Sequence, residues 1–400
     1  MRGNIRGRSS MSNTVKIVHC SDLHLDRTFN ISNFALAMDR KNDLNRNFST
    51  VVDSAIDRKA DLFLITGDSY DRVTPTNATS VFLMENIRRL HDAGIRIFMI
   101  GGNHDVPKIG KYTHLAIENF ESAGLARVFH KSDTLQQDVV EVNGATVCLS
   151  GKSYNTQDES TDPLKGEKIP LDGDYNILLL HAAFRGLGVV SSVPDYINQS
   201  PVYADDVVKG LTYLALGHFH NSFVREHRGC LIGNPGSIER LTWNELNDKK
   251  GFLWIELEGS KVRWEHIPLK TRNMQSLDLS VTKESGNLND FIPTFLGQYK
   301  DQEAIIRLVL KGGISQAQYN QFRIVDLYRI AQNLFFHFSL DRTDLIVEEY
   351  GRIFFERIGT PKQAFERHLD DLIASAETED ERRLLEKVKD LGKEYLEEST

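Results

Sequence analysis

The sequence predicts an α/β fold: a four-layer α/β/β/α sandwich, followed by a small α+β capping domain and a C-terminal helical tail. Three observations predict it. Short apolar strands recur, and each runs directly into a polar turn. Amphipathic helices separate the first of them, which is the pattern of a parallel sheet with right-handed crossovers. Between about 126 and 268 short strands with hairpin signals take over, enough for a second sheet stacked on the first.

Taken in order, residues 1–14 carry positive charge without an apolar run and read as a disordered tail. The domain at 15–272 opens with the strand in VKIVHCSDLHL (15–25). Asn33–Lys59 then reads as a long helix with Leu36, Leu44, Phe48, Val51, Val52, Ala55 and Ile56 on one side. DLFLITGDSYD (61–71) holds the second strand. A helix over Ala78–Ala93 follows, with Val81, Met84, Ile87 and Leu90 at helical spacing and Gly94 ending it. IRIFMIGGNHD (95–105) is the third strand, and Asn143-Gly144 marks a hairpin. Residues 152–173 read as a surface loop. NILLLHAAF (176–184) and YLALGHFHN (213–221) are further strands, followed by GFLWIELEG and KVRWEHIP.

The capping domain, 273–348, alternates strands and helices, with Ser315–Gln318 as a capping box. The segment 349–400 reads as two helices. Thr360–Gln363 caps the first, whose face is Phe365, Leu369 and Leu372, and Thr378–Glu381 starts the second. These helices fit docking on a partner's coiled coil or packing on their own chain.

Composition narrows the function classes. The charge of −8 excludes a global field that draws the chain to nucleic acid, so any such binding uses a local patch or bound metal. No segment offers the roughly 18 apolar residues of a membrane span. Cys20, Cys148 and Cys230 are scattered and predict buried free thiols in a reducing compartment, which points to the cytoplasm.

The strand ends carry the chemistry. They deliver Asp22 and His24, then Asp68, then Asn103, His104 and Asp105, then His181, and finally His218 and His220. In open parallel sheets, ligands bind beyond the carboxyl ends of strands, where all of these fall. Mixed imidazole and carboxylate donors suit divalent manganese, iron or zinc. Two such ions about 4 Å apart clamp a phosphoryl group and lower the pKa of a shared water. The seven residues Asp22, His24, Asp68, Asn103, His181, His218 and His220 divide into two sets, with Asp68 in the middle as a bridge. His104 is the spare imidazole, a general acid for a leaving alkoxide, and Asp105 stands ready to orient it. Any one motif arises often by chance; all five in this order, each after an apolar strand, carry the argument.

These motifs, DxH, GDxxD, GNHD, a lone His and GHxH, resemble those of the calcineurin-like metallophosphoesterases. Within that superfamily, DLHLDRTF, GDSYDRVTPT and GNPGSIER (233–240) most resemble the SbcD-type nucleases of DNA double-strand-break repair. The superfamily likeness covers about residues 15–268. It implies two Mn2+ ions, the first held by Asp22, His24, Asp68 and His220 and the second by Asp68, Asn103, His181 and His218, with His104 as proton donor. The implied activity is 3′–5′ exonuclease and single-strand endonuclease action through a metal-activated hydroxide. The implied partners are DNA, an SMC-like ATPase bound through C-terminal helices, and a second copy of the chain. Asp26 stands where the group often has glycine, placing an acid near the DNA path, and Ala182 replaces a frequent polar residue. A phosphodiesterase of small molecules such as cyclic nucleotides is the alternative activity, and a non-catalytic scaffold the alternative class.

Arg27, Arg72 and Arg185 follow the motifs as candidate phosphate contacts, and Arg240 follows the proline-glycine-serine turn. Solvated loop charges explain these arginines equally well. Asp71 reads either as support for a ligand or as a turn residue. His19 reads as a packed core residue.

Overall fold

The computed structural model describes residues 14–31, 33–108, 114–193, 196 and 199–347. Beyond these it describes residues 365, 368–370, 372–373, 376 and 382–389. The tail at 1–13 and the capping box at Thr360–Gln363 lie outside the described residues, as do the helix start at Thr378–Glu381 and much of 349–400. The chain forms two compact units, Met1–Arg272 and Asn273–Thr400.

The first unit begins β1 (Val15–Cys20), α1 (Phe34–Asp57), β2 (Leu62–Thr66), α2 (Asn77–Asp92), β3 (Arg96–Ile100), α3 (Glu118–Ser122) and β4 (Arg127–Phe129). It continues β5 (Gln136–Val142), β6 (Ala145–Gly151), β7 (Tyr175–His181), β8 (Ala183–Arg185), β9 (Pro201–Tyr203) and β10 (Tyr213–Gly217). The last strands are β11 (Phe223–His227), β12 (Cys230–Asn234), β13 (Gly251–Glu258) and β14 (Lys261–Pro268). One sheet has the order β14-β13-β1-β2-β3-β4, and the other β11-β12-β10-β7-β6-β5. β1 to β4 are parallel, as are β6, β7, β10 and β12; the added edge strands are antiparallel.

Strand periodicity explains the layering, because alternate side chains point to opposite faces. In β2, Leu62 and Leu64 enter the core between the sheets, whereas Phe63 and Ile65 pack with the helices. In β7, Ile177 and Leu179 face the inter-sheet core, and Leu178 and Leu180 face outward into a further apolar cluster. Both faces of each central strand are covered, which is why these runs read as continuous apolar stretches.

The helices lie against the first sheet. Asn33 caps α1 by accepting from the backbone N–H of Ala35 at 3.0 Å, and Leu44, Phe48, Val51, Val52 and Ala55 are buried. In α2 the buried face is Leu83, Ile87 and Leu90; Val81, expected on it, points outward. Gly94 follows with φ +80°, and its N–H reaches the carbonyl of His91. Asn143 and Gly144 both have positive φ and close the hairpin of β5 and β6. Over the second sheet, helices were the expectation. Among the described residues its outer face is covered instead by loop segments around Leu164 and Ile169, the β8–β9 ribbon and the turn at Ala204–Asp206. Cys20, Cys148 and Cys230 are buried and free.

The second unit continues β15 (Met274–Val281), α4 (Leu288–Gly297), β16 (Asp301–Ile314), α5 (Gln316–Gln321), α6 (Ile324–Ala331), β17 (Phe335–Asp341) and β18 (Leu345–Val347). β16 pairs in parallel with β15, β17 and the short β18. The Ser315 hydroxyl accepts from Gln318 N–H at 3.2 Å and the Gln318 side chain from Ser315 N–H at 3.0 Å, the reciprocal cap expected there. Residues 382–389 are helical. No described helix is long and apolar enough to cross a membrane.

Candidate metal centre

Three parallel strands of the first sheet and two of the second end beside one another, and their first loop residues bend sharply. Asp22, His24, Asp68 and His218 all have positive φ, uncommon for side-chain-bearing residues and a recurrent mark of functional sites. The bends are tied across loops. Asp22 N–H donates to the carbonyl of Gly67 at 3.1 Å, His24 N–H to that of Asp68 at 3.0 Å, and His218 N–H to Asp22 Oδ1 at 3.2 Å. Gly102 is required beside them, because a Cβ there would sit 2.2 Å from Asp68 Oδ1.

All seven sequence-predicted ligands meet here, Asn103 half-buried and the other six buried. Asp68 Oδ2 lies 3.5 Å from His24 Nε2 and 3.4 Å from His181 Nε2, so one oxygen faces both halves of the cluster. Asn103 Oδ1 lies 3.0 Å from His181 Nε2 and 3.2 Å from His218 Nδ1. The donor atoms of Asp22, His24 and His220 fall within 4.8 Å of one another, as do those of Asp22, Asp68 and His181.

Each imidazole is oriented by a partner behind it. His181 Nδ1 donates to the Thr66 carbonyl at 2.8 Å, and His218 Nε2 to the Tyr196 carbonyl at 3.2 Å. His24 Nδ1 faces Asp71 Oδ1 at 3.1 Å, so Asp71 supports a candidate ligand rather than a turn alone. His220 Nδ1 faces Glu245 Oε1 at 3.0 Å. Because carboxylates and carbonyls only accept, a neutral ring with such a partner turns a lone pair toward the cluster, whereas His181 must first give up the proton that Asp68 and Asp22 hold on it. His24 Nε2 and His220 Nε2 consequently oppose each other at 3.1 Å, two acceptors with nothing to share.

Electrostatics give the same picture. Burial pushes Asp22 up to about 6 against the pull of the His181 and His24 imidazoles, with the Asp68 carboxylate adding to the rise. Burial disfavours the His181 cation, yet Asp68 and Asp22 together raise that residue to about 9. Burial drives His218 down to about 3. A buried set of carboxylates and facing lone pairs wants positive charge at its centre. The donors therefore fit divalent cations: Asp22, His24, Asp68 and His220 on one side, and Asp68, Asn103, His181 and His218 on the other.

His104 sits at the rim, half-buried, its ring 4.8 Å from that of His24 and edge-on to it. Its N–H donates to Asp68 Oδ1 at 2.8 Å, and its Nδ1 lies 3.1 Å from the Asp71 carbonyl. Asp105 does not orient this ring, contrary to the expectation. Its carboxylate accepts the N–H groups of Gly102 at 3.0 Å, Ser69 at 3.1 Å and Tyr70 at 3.0 Å, lashing the second motif loop to the third.

Arg27 donates to Asp71 Oδ1 at 2.9 Å. Arg72 donates to Thr28 at 2.8 Å and lies 3.6 Å from Asp26, while the Arg185 guanidinium lies 6.0 Å from the Tyr203 ring centre. Arg240 is committed to carbonyls of Leu246, Asp248 and Arg272. Asp26 is not an open acid. It is buried, accepts from Thr76 N–H and Lys41 at 3.0 Å each, and has φ +72°, a conformation glycine adopts freely and Asp better than most. His19 is fully buried between the Tyr213 hydroxyl at 2.6 Å and Thr66 at 2.8 Å, a core residue as expected. Glu245, Lys250 and the Thr66 and Tyr196 carbonyls were missed by sequence reasoning. Glu245 lies in a polar run, TWNELNDKK, that carries no period or motif to flag it.

A two-sheet α/β fold with such a donor cluster at its strand ends defines a metal-dependent phosphoesterase. The chain matches the calcineurin-like phosphoesterase family over residues 15–222 and belongs to it. It is similar to the DNA double-strand break repair protein Mre11 of Sulfolobus acidocaldarius, with 27% identity over 75% of this chain and 76% of that one. Mre11 of Sulfurisphaera tokodaii is 28% identical over 76% of this chain and 74% of its own. The uncharacterized metallophosphoesterase YhaO of Bacillus subtilis is 24% identical over 76% and 73%.

Cations compete with protons for these atoms. Below pH 6 both Asp22 and His181 hold protons that a cation must displace; between pH 6 and 9 His181 still does. Apparent Mn2+ affinity is therefore expected to rise about tenfold per pH unit from pH 6 to 9 and to level off above. Equilibrium dialysis at four pH values checks this, and a flat profile across that window contradicts it.

Proposed function

We propose that the chain is a two-metal, manganese-dependent DNA nuclease of double-strand-break repair, acting as a 3′–5′ exonuclease and single-strand endonuclease. The single observation that carries the reading is the placement of Asp68 Oδ2 between His24 and His181, with His104 held at the rim by the other Asp68 oxygen. The names of the two archaeal relatives support DNA as substrate.

Two divalent cations in this cluster supply Lewis acidity, polarising a phosphoryl oxygen and lowering the pKa of an attacking water. The chain's own residues do the rest. Asp22 and Asp68 offset part of the charge of the cations, and the four histidines and Asn103 add donor atoms without adding charge. The Asp71 carbonyl takes the His104 Nδ1–H, so that Nε2 is the atom that hands a proton to the leaving oxygen. The Asp71 carboxylate fixes His24, and Arg27 donates to the same carboxylate oxygen. Arg72 and Arg185 are the candidate contacts to substrate phosphates. The exposed Leu372, Leu384 and Val388 in the tail suit docking on an SMC-like ATPase, and a homodimer is part of the same reading.

The test is digestion of end-labelled single- and double-stranded DNA with Mn2+ and with chelator. Shortening of labelled strands that depends on Mn2+ is expected. Hydrolysis of bis-p-nitrophenyl phosphate with DNA left intact would overturn the nuclease reading and leave the phosphoesterase class standing.

A further inference from the structure

Behind His220 lies a buried charge pair that neither catalysis nor the family motifs account for. Glu245, in the turn at Trp243–Glu245, is fully buried, and Lys250, immediately before β13, is 3% exposed. Glu245 Oε1 accepts from His220 Nδ1 and from the Thr242 hydroxyl, each at 3.0 Å. Its Oε2 accepts from Lys250 Nζ at 2.6 Å and from Leu241 N–H at 3.2 Å. Lys250 Nζ also donates to the His220 carbonyl and to the Ser237 hydroxyl, both at 2.8 Å, and lies 3.4 Å from Asp248 Oδ2. The histidine is thus held at both ends, its ring by the carboxylate and its backbone by the ammonium.

We propose that Glu245 and Lys250 form a positioning pair that fixes the tautomer and the aim of His220 toward a divalent cation. The inference rests on the reading of His220 as a ligand. A carboxylate has no proton to offer, so Nδ1 carries the hydrogen and Nε2 presents a lone pair beside His24. Lys250 Nζ, 2.6 Å from Oε2, is the buried counter-charge to the carboxylate. The pair also spans the two sheets. Lys250 leads into β13, which pairs with β1, the strand that delivers Asp22 and His24, whereas His220 follows β10 of the other sheet. As a device for stability alone the arrangement is poor, since apolar side chains of equal volume often stabilise a core as well or better. Carboxylates that grip a metal-ligating imidazole from behind typically tune affinity 10–100-fold.

The test uses the full chain, stripped of metal and titrated with Co2+ while visible absorption is followed, and with Mn2+ by dialysis and metal analysis. Three variants are compared: Glu245→Asp, the double Glu245→Gln/Lys250→Met, and His220→Ala. Glu245→Asp keeps the charge but withdraws it from Nδ1, and the double variant leaves no unpaired buried charge, so each retains the fold by circular dichroism. In both, one cation binds as in the parent and the other is weakened about 10–100-fold, with an altered Co2+ spectrum. If both fold and bind two cations with parental affinity and spectrum, the pair is structural and the inference fails. His220→Ala separates the causes. Should it also bind two cations as the parent does, the ligand reading itself falls; should it lose one while the other variants lose none, only the positioning role falls.

Discussion

His104→Ala is expected to lower the rate of phosphodiester cleavage by about 100–10,000-fold, the usual contribution of a positioned general acid. Metal content should stay that of the parent, because the imidazole belongs to neither of the two donor sets and the hydrogen bond from His104 to Asp68 comes from its backbone N–H. That N–H survives in alanine, so the Asp68 oxygen keeps its partner. The loss should appear in kcat, with KM little changed, since the proton moves only as the leaving bond breaks. Leaving-group dependence gives a second check. An aryl ester such as bis-p-nitrophenyl phosphate departs without a proton and should lose far less than DNA does. Equal losses on both substrates would show that His104 binds or orients substrate, and parental activity on DNA would remove the acid assignment altogether.

Much of the site was legible because its donors are local in sequence. A ligand at a strand end is announced by the apolar run before it, and DLHL, GD, GNHD and GHFH each put donor and strand in one short window. The parallel sheet was legible for the same reason, since its strands alternate with helices whose periodicity shows. What stayed hidden depends on which loops meet. Asp105 follows His104 directly, which suggested an aspartate steering its neighbour. In the folded chain its carboxylate turns to backbone N–H groups at Ser69 and Tyr70, and a carbonyl at Asp71 takes the imidazole instead. Carbonyls of Thr66 and Tyr196 aim two further rings, and no side-chain pattern reports on a backbone acceptor. The glycine-to-aspartate departure at Asp26 read as a change in substrate path and proved to be a left-handed turn with two cations over it.

Asp68 carries the larger prediction. Replacing it by alanine removes the one oxygen that faces both His24 and His181 and strips His104 N–H of its acceptor. Activity should fall beyond the range of a lost general acid, more than about 10,000-fold, because the cations and their chemistry are lost together. Asp68→Asn separates the two roles. Its amide oxygen can still accept from His104 N–H, so the loop stays in place, while the negative charge shared by the two halves is gone. Without that charge, Asp22 is the one carboxylate left among the seven donors, and the raised pKa of His181 loses its main source. The asparagine variant should therefore stay folded yet bind fewer than two cations at Mn2+ levels that saturate the parent, as read by dialysis and metal analysis. A variant that still held two cations at parental affinity would show that neither half depends on this carboxylate, and the shared-bridge reading of the cluster would have to be abandoned.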